Sequence, residues 1–186
     1  MHEVLRKLEG GDRRSIGGSN EVVADVIANP KLFDVVFSGL LTDDPLLRAR
    51  SADAVEKITV QHPEYLHPYK TTLIGPLARL DQKELRWHIA QMLPRIRWSP
   101  KERQQVLDLL LVYLNDRSSI VKTFAMQALA DLTAQWPQLR VNVLAQLQEL
   151  TVNGTPAMKA RGRKLLAKHA RQSRLSTGLA GRRSVD

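Results

Sequence analysis

The chain has no cysteine at any of its 186 positions. Disulfide bonds, thiolate zinc sites, iron–sulfur clusters and a cysteine nucleophile are therefore excluded. Long apolar runs are also missing, because no stretch approaches the roughly 18 residues that a membrane-spanning helix needs. The first residues, MHEVLRKLEGG, lack the apolar core of a signal peptide. These absences predict a cytoplasmic protein without a membrane segment.

Patterns that carry catalysis or bind metal are absent as well. No two of the five histidines are spaced i, i+4 on a helix with a partnering acid, as a zincin-like site requires. The Gly-x-Ser-x-Gly elbow of hydrolases does not occur. His62 and His67 flank a predicted turn, where a solvated pair is favoured over a metal site with two ligands. We therefore expect no catalytic residue, no metal, no cofactor and no enzymatic activity.

Glycine is concentrated near the N-terminus, with four glycines in the nine residues from Gly10 to Gly18. Such a segment is a candidate phosphate cradle, but no Lys-Ser/Thr follows the glycines and no apolar strand precedes them. We therefore interpret residues 1–20 as a short helix and a glycine-rich linker. Ser19 or Asn20 is predicted to cap a helix that begins near Glu21.

Positive charge is in excess, with a formal net charge of +9, and it is unevenly distributed. Residues 1–158 carry 19 Lys and Arg against 18 Asp and Glu, so this part is almost neutral. Residues 159–186 carry nine cations and one acid. Any electrostatic contact with nucleic acid or an acidic partner is therefore predicted at the C-terminal end. The candidate phosphate contacts are Arg161, Arg163, Lys164, Lys168, Arg171 and Arg174.

A sequence motif that begins at Thr42, TDDPLLRARSADAVEKI, recurs along the chain. In each copy a helix begins with an apolar residue followed by a cation, and the four cations lie 38, 36 and 37 residues apart. Repeats of this length are typical of stacked helix pairs, each of which needs its neighbours to bury its apolar face. We therefore predict an all-α fold, a right-handed α-solenoid of about four stacked antiparallel helix pairs plus a C-terminal capping helix. The repeated cations are Arg48, Arg86, Lys122 and Lys159.

The predicted repeat domain covers residues 21–172. Gly75–Pro76 lies inside the second helix of the second pair and should kink it, and Pro94 should bend the first helix of the third pair. Trp98 and Trp136 follow first helices, at turns beside prolines, and are predicted to cover the ends of the core. Residues 173–186 contain few large apolar residues and are predicted to form a basic disordered tail.

The repeated motif resembles a HEAT repeat, and the copies that contain Asp44 and Asp116 match its pattern. In that family a turn Asp, often followed by Pro, precedes an apolar–Arg dipeptide, as in Asp44–Pro45 with Leu47–Arg48. The resemblance covers about residues 42–170 and implies the armadillo-like helical fold, not an activity. It also implies a structural ladder in which each cation bonds adjacent turns, formed by Arg48, Arg86, Asp116 and Lys122. The alternative is that the repeated cations form a stripe that binds phosphates.

In HEAT-like stacks the second helices line the concave side, so their exposed residues would face a ligand. The alternative is simply a solvated face. The candidate partner-binding residues are Lys70, Arg79, Arg103 and Arg140, together with Tyr65, Gln104, Asn142 and Gln146.

Three functions are compatible with these patterns. The favoured one is a non-catalytic scaffold or adaptor that binds a protein partner through its repeat surface, with no particular oligomeric state indicated. The second is a nucleic-acid-associated module that contacts phosphates through its basic C-terminal end. The third is an enzyme, because the HEAT-like alkylpurine DNA glycosylases use aromatics and an acid on a cationic groove. Arg86–Trp87–His88 is suggestive of them, but no catalytic Asp motif matches and the repeat body is near neutral.

Overall fold

A computed structural model of the chain describes residues 2–11 and 15–180, with the backbone alone for 173–180. Every regular element within these residues is helical, which confirms the predicted all-α class. None of the described helices is long and apolar enough to cross a membrane. The α-helices are α1 (Glu3–Arg6), α2 (Ser19–Ala28), α3 (Phe33–Ser38), α4 (Pro45–Gln61), α5 (Lys70–Ile74), α6 (Pro76–Arg79), α7 (Lys83–Met92), α8 (Pro100–Leu114), α9 (Ser119–Leu132), α10 (Arg140–Asn153) and α11 (Pro156–Ala180). Short 3-10 segments lie at Pro30–Leu32, Gly39–Leu41, Pro63–Tyr69, Leu93–Arg95 and Pro137–Leu139.

The helices pack in pairs. The first helices contact one another in chain order, α2 with α4, α4 with α7, α7 with α9 and α9 with α11. Three of the intervening helices pack against a first helix, α3 against α4, α8 against α9 and α10 against α11. Their buried side chains form one hydrophobic cluster that extends from Val4 to Leu165. The apolar face of each pair is therefore covered by neighbouring elements.

Turn residues determine where several helices begin and end. Asp44 accepts a hydrogen bond from the backbone N–H of Leu46 at 2.8 Å, and Pro45 occupies the first position of α4. The second helix of the second pair is broken at Gly75, where α5 ends and Pro76 begins α6. Proline has no N–H to continue the helical ladder, so the predicted kink is a complete interruption.

The glycine-rich segment is held against α4. Arg50 is 3% exposed, and its guanidinium donates hydrogen bonds to the carbonyl oxygens of Leu8 at 2.8 Å and Ser15 at 3.1 Å. Gly17 has a φ of 56°, and a Cβ at this position would lie 2.9 Å from the guanidinium. A phosphate cradle presents backbone N–H groups, whereas the described part of this loop presents carbonyl oxygens to a cation.

The start of α2 differs from the prediction. The helix begins at Ser19, two residues before Glu21, and Gly18 is its N-cap. Ser19 is fully buried and its hydroxyl donates a hydrogen bond to Asp53 of α4. A tertiary partner therefore takes the hydroxyl that the local capping rule assigns to the helix end.

The last helix is longer than composition predicted. α11 continues to Ala180, eight residues into the stretch predicted as a disordered tail from residue 173. No proline interrupts these residues, so the helix can continue past its last packed turns. The rest of the predicted tail, residues 181–186, lies outside the described residues. Within α11, Gly162 permits close contact with α10, because a Cβ there would overlap Thr151 Oγ1.

Candidate binding surfaces

Arg48 joins the turn before its own helix to the turn of the next pair. Its guanidinium donates a hydrogen bond to the backbone carbonyl of Thr42, six residues earlier. It also donates to Gln82 Oε1 at 2.9 Å, in the turn that precedes α7. The side chain is half-buried, and its two terminal nitrogens are engaged within the chain, whereas no hydrogen-bond partner of Nε is found among the described residues.

Arg86 repeats this arrangement in the next pair. It donates to the backbone carbonyl of Leu80 at 3.0 Å, again six residues earlier. It donates to Asp116 Oδ2 at 2.6 Å, in the turn before α9, and the Asp116 side chain is only 6% exposed. Asp116 also accepts a hydrogen bond from the backbone N–H of Ser118 at 2.7 Å. One carboxylate thus neutralises the arginine and orders the turn.

The corresponding contact is different at the third copy. Lys122 is half-buried, and among the described residues its side chain has no hydrogen-bond or ion-pair partner. Arg161 makes one of the contacts between α9 and α11, because it donates to Gln127 Oε1 at 3.0 Å. The Arg161 guanidinium also lies 5.5 Å from the ring centroid of Phe124. A residue predicted to contact phosphate therefore has partners inside the chain.

A second row of contacts between consecutive pairs lies where the second helices begin. This end of the helix pairs is opposite to the end that carries the contacts of Arg48 and Arg86. In each case a side chain near the helix start packs on a ring in the turn of the following pair. The pairs, with their distances to the ring centroid, are Phe33–Tyr65 (5.0 Å), Lys70–Trp98 (5.1 Å) and Arg103–Trp136 (5.6 Å). In the next pair, Arg140 donates to the backbone carbonyl of His169 at 3.4 Å.

These contacts involve four of the eight residues predicted to face a partner, namely Tyr65, Lys70, Arg103 and Arg140. Lys70, Arg103 and Arg140 are half-buried, whereas Arg79 is exposed. Their long side chains cover a neighbouring ring or turn, which stabilises the junction between pairs. A sequence signal for this row exists, because aromatic residues recur after 33 and 38 residues, at Tyr65, Trp98 and Trp136.

The tryptophans that precede second helices close the core. Trp98 and Trp136 are buried, as predicted, and Trp98 Nε1 donates to the backbone carbonyl of Leu93 at 2.9 Å. His62 lies 3.1 Å from Glu64 in the turn after α4. Within the described part of the chain, no group of three His, Asp or Glu side chains is arranged to hold a metal ion.

Trp87 and His88 line a cavity of about 400 Å³ between α4, α7 and the loop before α2. Burial lowers the pKa of His88 to about 4, an effect that Asp53 opposes and Lys57 reinforces. Asp53 is itself paired with Lys57 at 2.7 Å. The charged residues that line the cavity are one arginine and two acids, Arg50, Asp53 and Glu84. This cavity is therefore unlike the cationic groove that the glycosylase resemblance implies.

The basic C-terminal helix presents part of its charge to solvent. Arg163, Lys164 and Arg171 are exposed on α11. Lys168 is also exposed and lies 3.3 Å from Asp131 of α9. The side chain of Arg174 lies outside the described residues. Three of the six predicted phosphate contacts are thus exposed without an acidic partner among the described residues.

Two of the second helices carry exposed aliphatic side chains. Leu111 and Val112 are 41% and 63% exposed on α8, and Val141 and Val152 are 77% and 67% exposed on α10. Their exposed neighbours include three charged residues, Lys101, Asp108 and Glu149. The uncharged ones are Pro100, Gln104, Gln105, Asn142, Ala145, Gln148 and Asn153. These two faces, called the second-helix faces below, are therefore aliphatic and polar with little charge.

Comparison of the chain with protein-family models, curated proteins and solved structures found no match.

Proposed function

We propose that the chain is a HEAT-like α-solenoid, without catalysis, that acts as a scaffold for a protein partner. Two observations support the solenoid arrangement. The first helices contact one another in chain order, and the inter-turn contacts of Arg48 and Arg86 recur with the sequence repeat. Stacked pairs of this kind expose an extended surface made from equivalent helices.

The second-helix faces support binding of a protein. Val112, Val141 and Val152 are each more than half exposed, although burying a valine side chain is favourable by roughly 1.5–3 kcal/mol. Exposed apolar groups rimmed by polar residues mark sites of protein interaction. The low charge of these faces favours a protein over a polyanion.

The test is capture of a partner from a lysate of the source organism on immobilised protein. The double substitution Val141→Glu and Val152→Glu places charge on the α10 face without touching the core. We expect wild-type protein to retain a partner and this variant to lose it, because an unpaired carboxylate would be buried in the complex. The matched control is Val60→Glu, which is 63% exposed at the end of α4.

Retention by the control together with loss in the double variant supports the second-helix face as the contact. Equal retention by all three proteins contradicts it. Thermal melts followed by circular dichroism establish that the variants are folded.

The composition of α11 favours a second candidate function, contact with nucleic-acid phosphates. Its 25 residues contain seven Lys and Arg and no acid. A simpler explanation for part of this charge is that cations near the C-terminal end of a helix stabilise it, because they interact favourably with the partial negative charge of the helix dipole there. The exposed Arg163 and Lys164 lie in the first half of the helix, where that explanation does not apply.

A further inference from the structure

A cleft of about 430 Å³ lies between the turn that follows α7 and the turn that follows α9. Three arginines line it, although they come from a repeat body whose overall charge is almost neutral. The lining residues are Arg95, Arg97, Trp98, Arg103, Ala134, Gln135 and Trp136.

Two of the cations around this cleft are neutralised by carboxylates. Arg95 is paired with Glu56 of α4 and also donates to Thr59 Oγ1 at 2.9 Å. Lys70 is paired with Glu102 at 2.8 Å. This bond, reinforced by the backbone N–H of Ser99, lowers the pKa of Glu102 to about 2. Glu102 is therefore ionised and engaged at neutral pH, and Glu56 is engaged by Arg95.

Arg97 and Arg103 are the cations of the cleft without a carboxylate partner among the described residues. Arg97 is exposed, and its side chain makes no hydrogen bond or ion pair there. Arg103 is held in place, because Nε donates to the backbone carbonyl of Trp98 at 3.3 Å and the guanidinium lies over Trp136. An ordered guanidinium loses less conformational freedom when it binds an oxyanion, and its planar fork matches a carboxylate.

We propose that this cleft binds an acidic peptide segment of the protein partner. The inference rests on the proposed function and adds a second contact, with opposite charge, to the aliphatic second-helix faces. Carboxylates of the segment pair with Arg97 and Arg103. A phosphodiester chain is a poorer occupant, because only two cations of the cleft lack a carboxylate partner among the described residues, whereas a nucleic-acid contact neutralises a row of phosphates.

The test uses a fluorescein-labelled decapeptide of glutamate and fluorescence polarisation at about 50 mM salt, where charge pairs are weakly screened. Arg97→Glu should weaken binding by about tenfold, because it replaces an attractive charge by a repulsive one. The matched control is Arg6→Glu, an exposed arginine of α1 outside the cleft, which should change binding by less than about twofold. A labelled single-stranded oligothymidylate of 20 nucleotides is titrated in parallel.

Selective weakening of peptide binding by Arg97→Glu supports the cleft. The proposal is overturned if wild-type protein does not bind the peptide, or if the two variants weaken it equally. It is also overturned if Arg97→Glu weakens oligothymidylate binding as much as peptide binding. These failures leave protein binding itself intact, since loss of a captured partner in the Val141→Glu/Val152→Glu variant tests that separately.

Discussion

His88 places an ionisable ring in the core between α4 and α7. It is 7% exposed, and no hydrogen-bond partner of its Nδ1 is found among the described residues. Burial disfavours the charged imidazolium and lowers the pKa from 6.5 to about 4. The ring is therefore neutral at physiological pH in the folded protein.

His88 should make the protein less stable in mild acid. The folded pKa lies below the unfolded one, so the unfolded chain binds the proton more readily. The contribution of the neutral ring to the free energy of unfolding is fully present above pH 6.5. It is lost as the pH falls toward 4, which lowers the free energy of unfolding by about 2–3 kcal/mol. His88→Leu removes the titration, so its free energy of unfolding should decline less than that of wild type between pH 7 and pH 4. Urea denaturation at both pH values measures the difference.

The exposed His67 provides the control for this measurement. His67→Leu should keep the wild-type dependence on pH, because the residue lies at the surface of the Pro63–Tyr69 turn. Parallel curves for wild type and His88→Leu would show that the buried ring does not control acid stability.

Among the elements, the turns before α7 and α9 show how consecutive pairs are joined. Arg86 contacts two acids, Asp81 at 3.0 Å and Asp116 at 2.6 Å. The Asp81 side chain is 68% exposed, whereas that of Asp116 is 6% exposed. The same cation therefore makes one solvated and one buried ion pair, and their contributions to stability should differ.

Asp116→Ala should lower the free energy of unfolding by about 2–3 kcal/mol. The substitution leaves the half-buried Arg86 without its buried partner and removes the acceptor for the Ser118 N–H. Asp81→Ala should change stability by no more than about 0.5 kcal/mol, because that pair is screened by water. Chemical denaturation at pH 7 compares the two variants. Equal losses would show that burial does not distinguish these contacts.

For the whole molecule, the distribution of charge says more about the candidate binding surfaces than the net charge does. The near neutrality of residues 1–158 conceals paired cations at the turns and unpaired ones in the cleft around Arg97. In α11, by contrast, the excess of cations is visible in the sequence itself, since the helix contains no acid.

The contribution of α11 to nucleic-acid binding is measurable as a salt dependence. Each phosphate contact steepens the decline of log affinity with log salt by about 0.9 on duplex DNA. If Arg163 and Lys164 contact phosphates, Arg163→Ala with Lys164→Ala should reduce the slope by about 1.8. Substitution of the exposed Arg6 of α1, Arg6→Ala, should leave the slope unchanged. An unchanged slope in the double variant, or no binding by wild type at about 50 mM salt, would contradict the second candidate function.

The candidate surfaces were only partly predictable. The polar residues Gln104 and Asn142 are exposed as predicted, because their helix positions follow from the local spacing of apolar residues. The half-burial of Lys70 and Arg103 was not predicted, because the rings they cover lie 28 and 33 residues further along the chain. The cleft was not predicted either, because the near-zero net charge of residues 1–158 does not show which of their charged side chains are paired.

The sequence alone determined the helices and their repeat. Apolar spacing, turn prolines and residues such as Asp44 act over a few residues, so they identify helices before any tertiary contact is known. Tertiary structure decided which side chains are engaged within the chain and which are exposed and able to contact a partner. Ser19 donates to Asp53, Arg50 is enclosed by loop carbonyls, and Arg97 remains exposed. These outcomes depend on groups that folding brings together from distant positions, whose distances and burial no local pattern encodes.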